Sequence, residues 1–269
     1  MSWVGESLVK LREKRPLVHN ITNYVVMNTT ANALLAIGAS PIMAHSPEEL
    51  NDIVSMADAI VINIGTLDER WIYSMLKAAR IASENKKPVI LDPVGAGATK
   101  LRTEISLMLL SSGNISVVKG NYGEILSLLG EMGKTKGVDS AAYVPERAKS
   151  IVKEVAEKYN VVAGITGPID FVSDGKEVYS IQNEITKVRN VIDRVTGLGC
   201  MVSAIIGAFL AVETPLRATI GGMAAFKAAS TLAATETQLP GSFHIKLYDW
   251  LFKIDGESIN NTVKINKIL

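Results

Sequence analysis

The chain predicts an α/β fold: one domain over residues 1–269, with helices packed on a mostly parallel, doubly wound sheet. Two observations predict it. Short β-branched runs alternate with longer helical segments, which is the pattern of repeated βαβ units. The strand runs are also continuously apolar rather than strictly alternating, as strands buried on both faces are.

Each element follows in order. Residues 10–15 read as a solvated helix end, and 24–37 as an apolar helical segment. The run 59–64 is a strand that stops at Gly65, and 68–85 carries helical periodicity with a charged outer face. Residues 88–91 form a strand ending at Asp92-Pro93, and 115–118 another ending at Lys119-Gly120-Asn121. A helix over 145–159 precedes a strand over 161–165, which ends at Thr166-Gly167. Residues 170–181 read as a hairpin turning at Ser173-Asp174-Gly175-Lys176. From Gly197 to about Thr235 the chain is helical, broken at Thr214-Pro215.

Composition narrows the function classes. The 269 residues are 48% hydrophobic, enough for a sizeable core, and the formal charge is +1. No Lys/Arg run resembles a nucleic-acid stripe, so no nucleic-acid partner is expected. A single cysteine excludes an intrachain disulfide framework and a Cys-based zinc cage. His19, His45 and His244 share no ligand spacing. The first residues lack the basic start and apolar run of a signal peptide, and apolar stretches such as 201–212 are too short to span a bilayer. A cytoplasmic protein without membrane partners is expected.

Polar residues gather where the strands end: Asn63, Gly65 and Thr66; Asp92; Lys119, Asn121 and Glu124; Thr166 and Gly167. Any one cluster can be a helix cap or a turn. Together they mark one edge of the sheet, and in open α/β folds ligands bind outside the carboxyl ends of the strands.

The turn Thr196-Gly197-Leu198-Gly199-Cys200 opens an apolar helix. Its glycines admit close backbone approach, and the helix start directs free N–H groups and positive dipole at the turn. Such a turn holds an anion, most often a phosphate. Cys200 falls in the first turn, where that field favours a thiolate. The other reading is a glycine-rich connection to a buried helix, with Cys200 as a small core residue. A phosphate here calls for magnesium, for which Asp92 and Glu124 are the candidate carboxylates. Lys119 balances phosphate charge or is an ordinary lysine with a buried stem. Neither a Walker A sequence nor the dinucleotide fingerprint is present.

These residues resemble the ribokinase-like small-molecule kinases, and among them the hydroxyethylthiazole kinase family. The resemblance rests on Val18-His19-Asn20-Ile21-Thr22-Asn23-Tyr24-Val25-Val26-Met27-Asn28 and Gly38-Ala39-Ser40-Pro41-Ile42-Met43-Ala44. It continues through Asn63-Ile64-Gly65-Thr66-Leu67, Leu91-Asp92-Pro93-Val94-Gly95-Ala96-Gly97-Ala98-Thr99, and Lys119-Gly120-Asn121 with Glu124-Ile125. It implies a ribokinase-like three-layer α/β/α fold, and a homotrimer with active sites between subunits. It implies phosphorylation of the hydroxyl of 4-methyl-5-(2-hydroxyethyl)thiazole by ATP with Mg²⁺. By motif position Asn23, Val25, Met43, Gly65, Thr66 and Gly197 would line the thiazole pocket. Lys119, Asn121, Thr166 and Gly167 would serve ATP, and Asp92 and Glu124 the metal. Gly197, Leu198, Gly199 and Cys200 would stabilise the transferring phosphoryl group.

The chain departs from the family pattern in two places. Lys119 stands where Arg is frequent, which turns a bidentate phosphate contact into a point charge. Leu198 replaces a residue that is commonly Thr or Ala. Most ribokinase-like enzymes also carry Asp as a base where Cys200 stands. A weak base suffices in a loose phosphoryl-transfer transition state, whereas a covalent Cys would need an activating partner. A hydroxymethylpyrimidine or pyridoxal kinase, a non-catalytic ligand sensor on the same fold, and a Cys-dependent hydrolase are the competing readings.

Overall fold

The computed structural model describes residues 2–112, 114–131, 143–183 and 189–269. The chain runs α1 (Ser2–Lys14), β1 (Leu17–Ile21), α2 (Met27–Ile37), β2 (Ser40–Met43), α3 (Leu50–Met56), β3 (Ala59–Asn63), α4 (Glu69–Glu84) and β4 (Val89–Asp92). It continues with α5 (Lys100–Ser111), β5 (Val117–Asn121), α6 (Tyr122–Ser127), α7 (Pro145–Tyr159), β6 (Val162–Thr166), β7 (Asp170–Ser173) and β8 (Val178–Asn183). Then follow α8 (Arg189–Ile192), α9 (Leu198–Leu210), α10 (Pro215–Glu236), α11 (Pro240–Lys253), α12 (Gly256–Thr262) and β9 (Val263–Lys267).

The strands form one sheet in the order β2-β1-β3-β4-β5-β6-β7-β8-β9. Neighbours from β2 through β6 pair in parallel, and β7, β8 and β9 continue antiparallel. Apolar side chains leave both faces, since Ala59 and Val61 join one core while Ile60 and Ile62 join the other. The first core packs α1, α2, α9, α10, α11 and α12 on the sheet, and the second packs α3, α4, α5, α6 and α7. The architecture is therefore three layers, α/β/α, as expected.

Local chemistry sets the element limits. Asp68 caps α4 by accepting from the Trp71 N–H, and Trp71, Met75, Ala78, Ala79 and Ala82 form its buried stripe. Pro145 sits at the start of α7, where its missing N–H costs nothing. Gly38 ends α2 at φ +107°, a conformation that glycine takes without strain. The expected hairpin over 170–181 is β7 and β8, and Pro215 starts α10 after the break.

Two differences from the sequence expectation bear on the site. The third expected strand does not stop at Val118, because Lys119, Gly120 and Asn121 pair with Gly164, Ile165 and Thr166 of β6. Asp92 is likewise the last residue of β4, paired with Asn63. Pairing in the middle of the sheet thus draws polar residues into the ladder that a hydrophobic run does not reveal. Among the described residues, no helix is long and apolar enough to cross a membrane.

Candidate active site

The parallel strands end in a cavity of about 1040 Å³, walled on one side by the start of α9. Its size lies at the upper end of the range usual for ligand sites, roughly 300–1,000 Å³.

The start of α9 is built by glycine. Gly197 is its N-cap at φ +83°, and a Cβ there would lie 2.9 Å from Val26 Cγ1. The first intrahelical bond of the helix runs from Met201 N–H to Gly197 O at 2.9 Å. The N–H groups of Leu198, Gly199 and Cys200 therefore have no partner one turn back, and no side chain caps them. All of residues 197–200 line the cavity. The result is an anion site made of backbone.

Behind that turn, hydrogen bonds tie four strand ends to α9. Asn23 Nδ2 donates to Asn63 Oδ1 at 2.8 Å and to Cys200 Sγ at 3.6 Å. Asn63 Nδ2 in turn donates to Asp92 Oδ2 at 3.0 Å. Ser203 Oγ donates to the same oxygen at 2.7 Å, and Lys119 Nζ approaches it at 3.5 Å. Lys119 Nζ also donates to Gly199 O at 2.8 Å and to Ser203 Oγ at 3.0 Å. Asn23, Asn63, Asp92, Lys119 and Ser203 are all buried, and burial requires partners for their polar atoms.

The charges are arranged around this network. Asp92 and Lys119 form an ion pair whose side chains are each 2% exposed. Burial pushes the Asp92 carboxyl up, against the pull of Lys119 and the hydrogen bonds from Ser203 and Asn63. Glu124 is pushed up to about 7, first by burial and then by the Asp92 charge. Its two oxygens accept the Gly95 N–H at 2.9 Å and the Asn121 N–H at 2.7 Å. The second bond is half of a capping box with Asn121 at the start of α6. Among the described residues no group of three or more His, Cys, Asp or Glu gathers as a metal cage.

One expectation is corrected here. The helix start was expected to favour a Cys200 thiolate, but the thiol is pushed up to about 12, mainly by burial and then by Asp92. Desolvation and a nearby carboxylate outweigh the dipole, so Cys200 stays protonated at neutral pH.

The remaining predicted residues divide. Asn23, Val25, Gly65, Asn121 and Thr166 line the cavity with Asp92, Lys119 and Glu124. Thr66 does not line it; its Oγ1 accepts the Tyr24 N–H at 3.1 Å and so ties together the loops after β1 and β3. Gly167 also lies outside the lining, with its N–H on Asp170 Oδ1 and its carbonyl on Lys227 Nζ. Met43 ends the edge strand β2 and does not reach the cavity within one chain. Lys119 is buried behind the turn, held by α9 rather than standing free to meet a phosphate. The sequence assigns no role to Ser203, which sits one turn into an apolar helix, nor to the stretch 192–195, which lines the cavity up to the turn at Thr196. Asn63 was noted only as part of a strand-end cluster, yet it joins Asn23 to Asp92.

The Hydroxyethylthiazole kinase family matches residues 8–257. The chain is 55% identical over 268 residues to the hydroxyethylthiazole kinase of Pyrococcus abyssi, covering 100% of this chain and 99% of that one. The solved structure of a hydroxyethylthiazole kinase protein from Pyrococcus horikoshii superposes with a TM-score of 0.92 at 50% identity, covering 100% of both chains. A ribokinase-like superfamily protein of Enterococcus faecalis, 17% identical, covers 88% of this chain and 86% of its own with a TM-score of 0.58, and so shares the fold.

Proposed function

Because the chain belongs to the hydroxyethylthiazole kinase family, we propose that it transfers the γ-phosphoryl group of ATP to the hydroxyl of 4-methyl-5-(2-hydroxyethyl)thiazole, a salvage step in thiamine diphosphate synthesis. The observation that carries this reading inside the molecule is the bare start of α9, which lines one cavity together with the adjoining Asp92. That pairing offers backbone donors for a transferring phosphoryl group beside a buried carboxylate.

In this reading Asn23, Val25, Gly65 and Gly197 hold the thiazole, with Thr66 fixing the loop and Met43 contributed from a neighbouring subunit. Asn121 and Thr166 meet the nucleotide, Gly167 shapes the turn beyond Thr166, and Lys119 places its charge behind the phosphates. The oxygen chemistry suits Mg²⁺, which takes few carboxylates and completes its shell with water and phosphate. Three donors converge on Asp92 Oδ2, while Oδ1 accepts no hydrogen bond from a described residue and remains available to a cation. Glu124 keeps both oxygens on backbone N–H groups and would act on the metal through water. Magnesium, when bound, supplies charge neutralisation on the phosphoryl oxygens.

The N–H groups of residues 198–200 receive the phosphoryl oxygens as charge spreads over them. The attacking hydroxyl gives up its proton late in a loose transition state, to a phosphoryl oxygen or to water, so no ionised base is needed. Cys200, as a thiol, gives the hydroxyl a weak hydrogen-bonding partner and shapes the phosphoryl site. Its hydrogen-bonding neighbours are Asn23 and Asn63, neither of which is a base that could activate a covalent nucleophile.

The working unit in this reading is a homotrimer of one-domain subunits in the cytoplasm, with sites between subunits. Met43, and the 61% exposed Tyr24 and Val25 beside the cavity, support a site completed by a second copy. Incubation with ATP and Mg²⁺ and, separately, the thiazole alcohol, hydroxymethylpyrimidine and pyridoxal tests the substrate. Mass spectrometry should find the thiazole monophosphate. No product, or equal turnover of the pyrimidine alcohol, overturns the reading. Light scattering that reports a fully active monomer overturns the trimer.

A further inference from the structure

Arg102 touches nothing in the network described above, yet it spans two loops that line the cavity. It sits in the first turn of α5, behind the N-cap Thr99. Its NH2 donates to Gly65 O at 2.8 Å, and NH1 donates to Val94 O at 3.4 Å. Gly65 and Val94 both line the cavity, one in the loop after β3 and the other after β4. A planar guanidinium can make both bonds at once in a fixed geometry, which an ammonium cannot.

The opposite edges of these loops are held as well. Val94 C=O and Gly95 N–H belong to one peptide group, and that N–H donates to Glu124 Oε1 at 2.9 Å. Arg102 and Glu124 therefore grip a single peptide plane from its two sides. At Gly65 the N–H donates to Asn63 Oδ1 at 3.0 Å while the carbonyl takes Arg102, so the two peptides flanking this residue are both fixed. Space confirms the fit. A Cβ on Gly65 would lie 2.6 Å from Asn23 Nδ2, and one on Gly95, at φ +77°, would lie 2.2 Å from Arg102 NH1. Both glycines leave room for the side chains that clamp the loops.

We propose that Arg102 is a positioning residue that sets the shape of the acceptor half of the cavity by bridging the loops after β3 and β4. The ligand it serves is the small neutral heteroaromatic alcohol, because Gly65 stands beside Asn23 after β3, two strands from the β5 end that carries Asn121 and three from the β6 end that carries Thr166. This part rests on the proposed function. The bridge itself does not, since it is made between residues of this chain alone.

Two measurements on Arg102→Met and Arg102→Lys test it. In the free protein, amide exchange at Gly95, and at Gly65 with its neighbours, should speed up by about tenfold or more in Arg102→Met, while exchange in α9 stays unchanged. In steady-state kinetics the KM for the thiazole alcohol should rise about tenfold, with kcat and the KM for ATP within about twofold. Arg102→Lys should show the same direction at smaller size, because it keeps a cation but cannot make both bonds. Unchanged exchange at both loops overturns the bridge. So does an equal rise in both KM values, or a loss of activity that follows melting temperature alone. If Arg102→Met does not fold, an Arg102→Lys protein with parental exchange and KM overturns the proposal. A parent protein that does not turn over the thiazole alcohol overturns the function reading, and the exchange measurement then decides the bridge alone.

Discussion

Ser203 Oγ donates to Asp92 Oδ2 at 2.7 Å, joining the first turns of α9 to the end of β4 across 111 residues of sequence. The same hydroxyl accepts from Lys119, so one serine links both members of the buried ion pair to the helix that carries the anion site.

Ser203→Ala removes that link with almost no change in volume. Two buried partners lose a hydrogen bond, which costs about 1–3 kcal/mol when a polar group is left unsatisfied. Urea denaturation should show a loss of that order, together with a fall in kcat/KM. A variant as stable and as active as the parent removes Ser203 from the account of the site.

Gly197 and Gly199 should separate in the same turn. Gly197→Ala meets Val26 at 2.9 Å and must hold φ +83°, a strain of about 1–3 kcal/mol for a residue with a Cβ. It should lower both stability and activity. Gly199→Ala meets only Lys119 Nζ, at 3.7 Å, so it should fold normally. Gly199 lines the cavity, so the added methyl group narrows the anion turn, and the KM for ATP should rise. Melting curves and kinetics on the pair check this, and a destabilised Gly199→Ala with a parental KM would contradict it.

Cys200 should behave as a protected thiol. With its group pushed from 9.0 up to about 12, the thiolate fraction near pH 8 falls about 10³-fold, and iodoacetamide should label the folded chain slower by about that factor than the urea-unfolded one. Stability carried by the protonated thiol is complete below pH 9.0 and is lost as pH rises towards about 12. Cys200→Ala should slow turnover by no more than the ~10²–10⁴-fold typical of a proton-transfer group. Cys200→Asp should keep substantial activity, and single-turnover digests should contain no phosphocysteine. A trapped adduct would falsify the assignment.

Glu124 gives stability a pH dependence. Its folded value of about 7 lies above the ordinary 4.5, so between them the folded chain holds a proton that the unfolded chain has released. Stability from this group is complete below pH 4.5 and is lost as pH rises through about 7. Glu124→Gln should flatten that fall while losing about 1 kcal/mol at the α6 cap, because the amide nitrogen cannot accept an N–H. Denaturation midpoints at several pH values measure both. An unchanged pH slope in Glu124→Gln would sink the assignment.

Much of the fold was legible because burial on both faces leaves continuous apolar runs, as in β3 and β4. The edges were not. β2 is half-buried throughout and contains Pro41, and β9 alternates with lysines, so neither shows such a run. In the site, Asp92 and residues 197–200 were legible because strand ends and glycine turns have local signatures. Ser203 was not, since a serine inside an apolar helix reads as core until its distant partner is known. The burial of Lys119 was equally hidden, because its partners Asp92 and Ser203 come from 27 and 84 residues away. Cys200 shows the limit of a local argument, where the field of one helix is outweighed by everything packed around it.

The late position of α9 in the chain has a consequence for biosynthesis. This helix is buried from Met201 to Leu210 and packs on β1, β3, β4 and β5, all of which leave the ribosome before it. Until it arrives, the middle of one sheet face is uncovered, and the Asp92–Lys119 pair stands open to water. A nascent chain stopped before Gly197 therefore displays a sticky apolar strip crossed by two charges. Such a strip invites chaperone contact and aggregation, and the insertion of one helix removes the hazard and completes the anion site together.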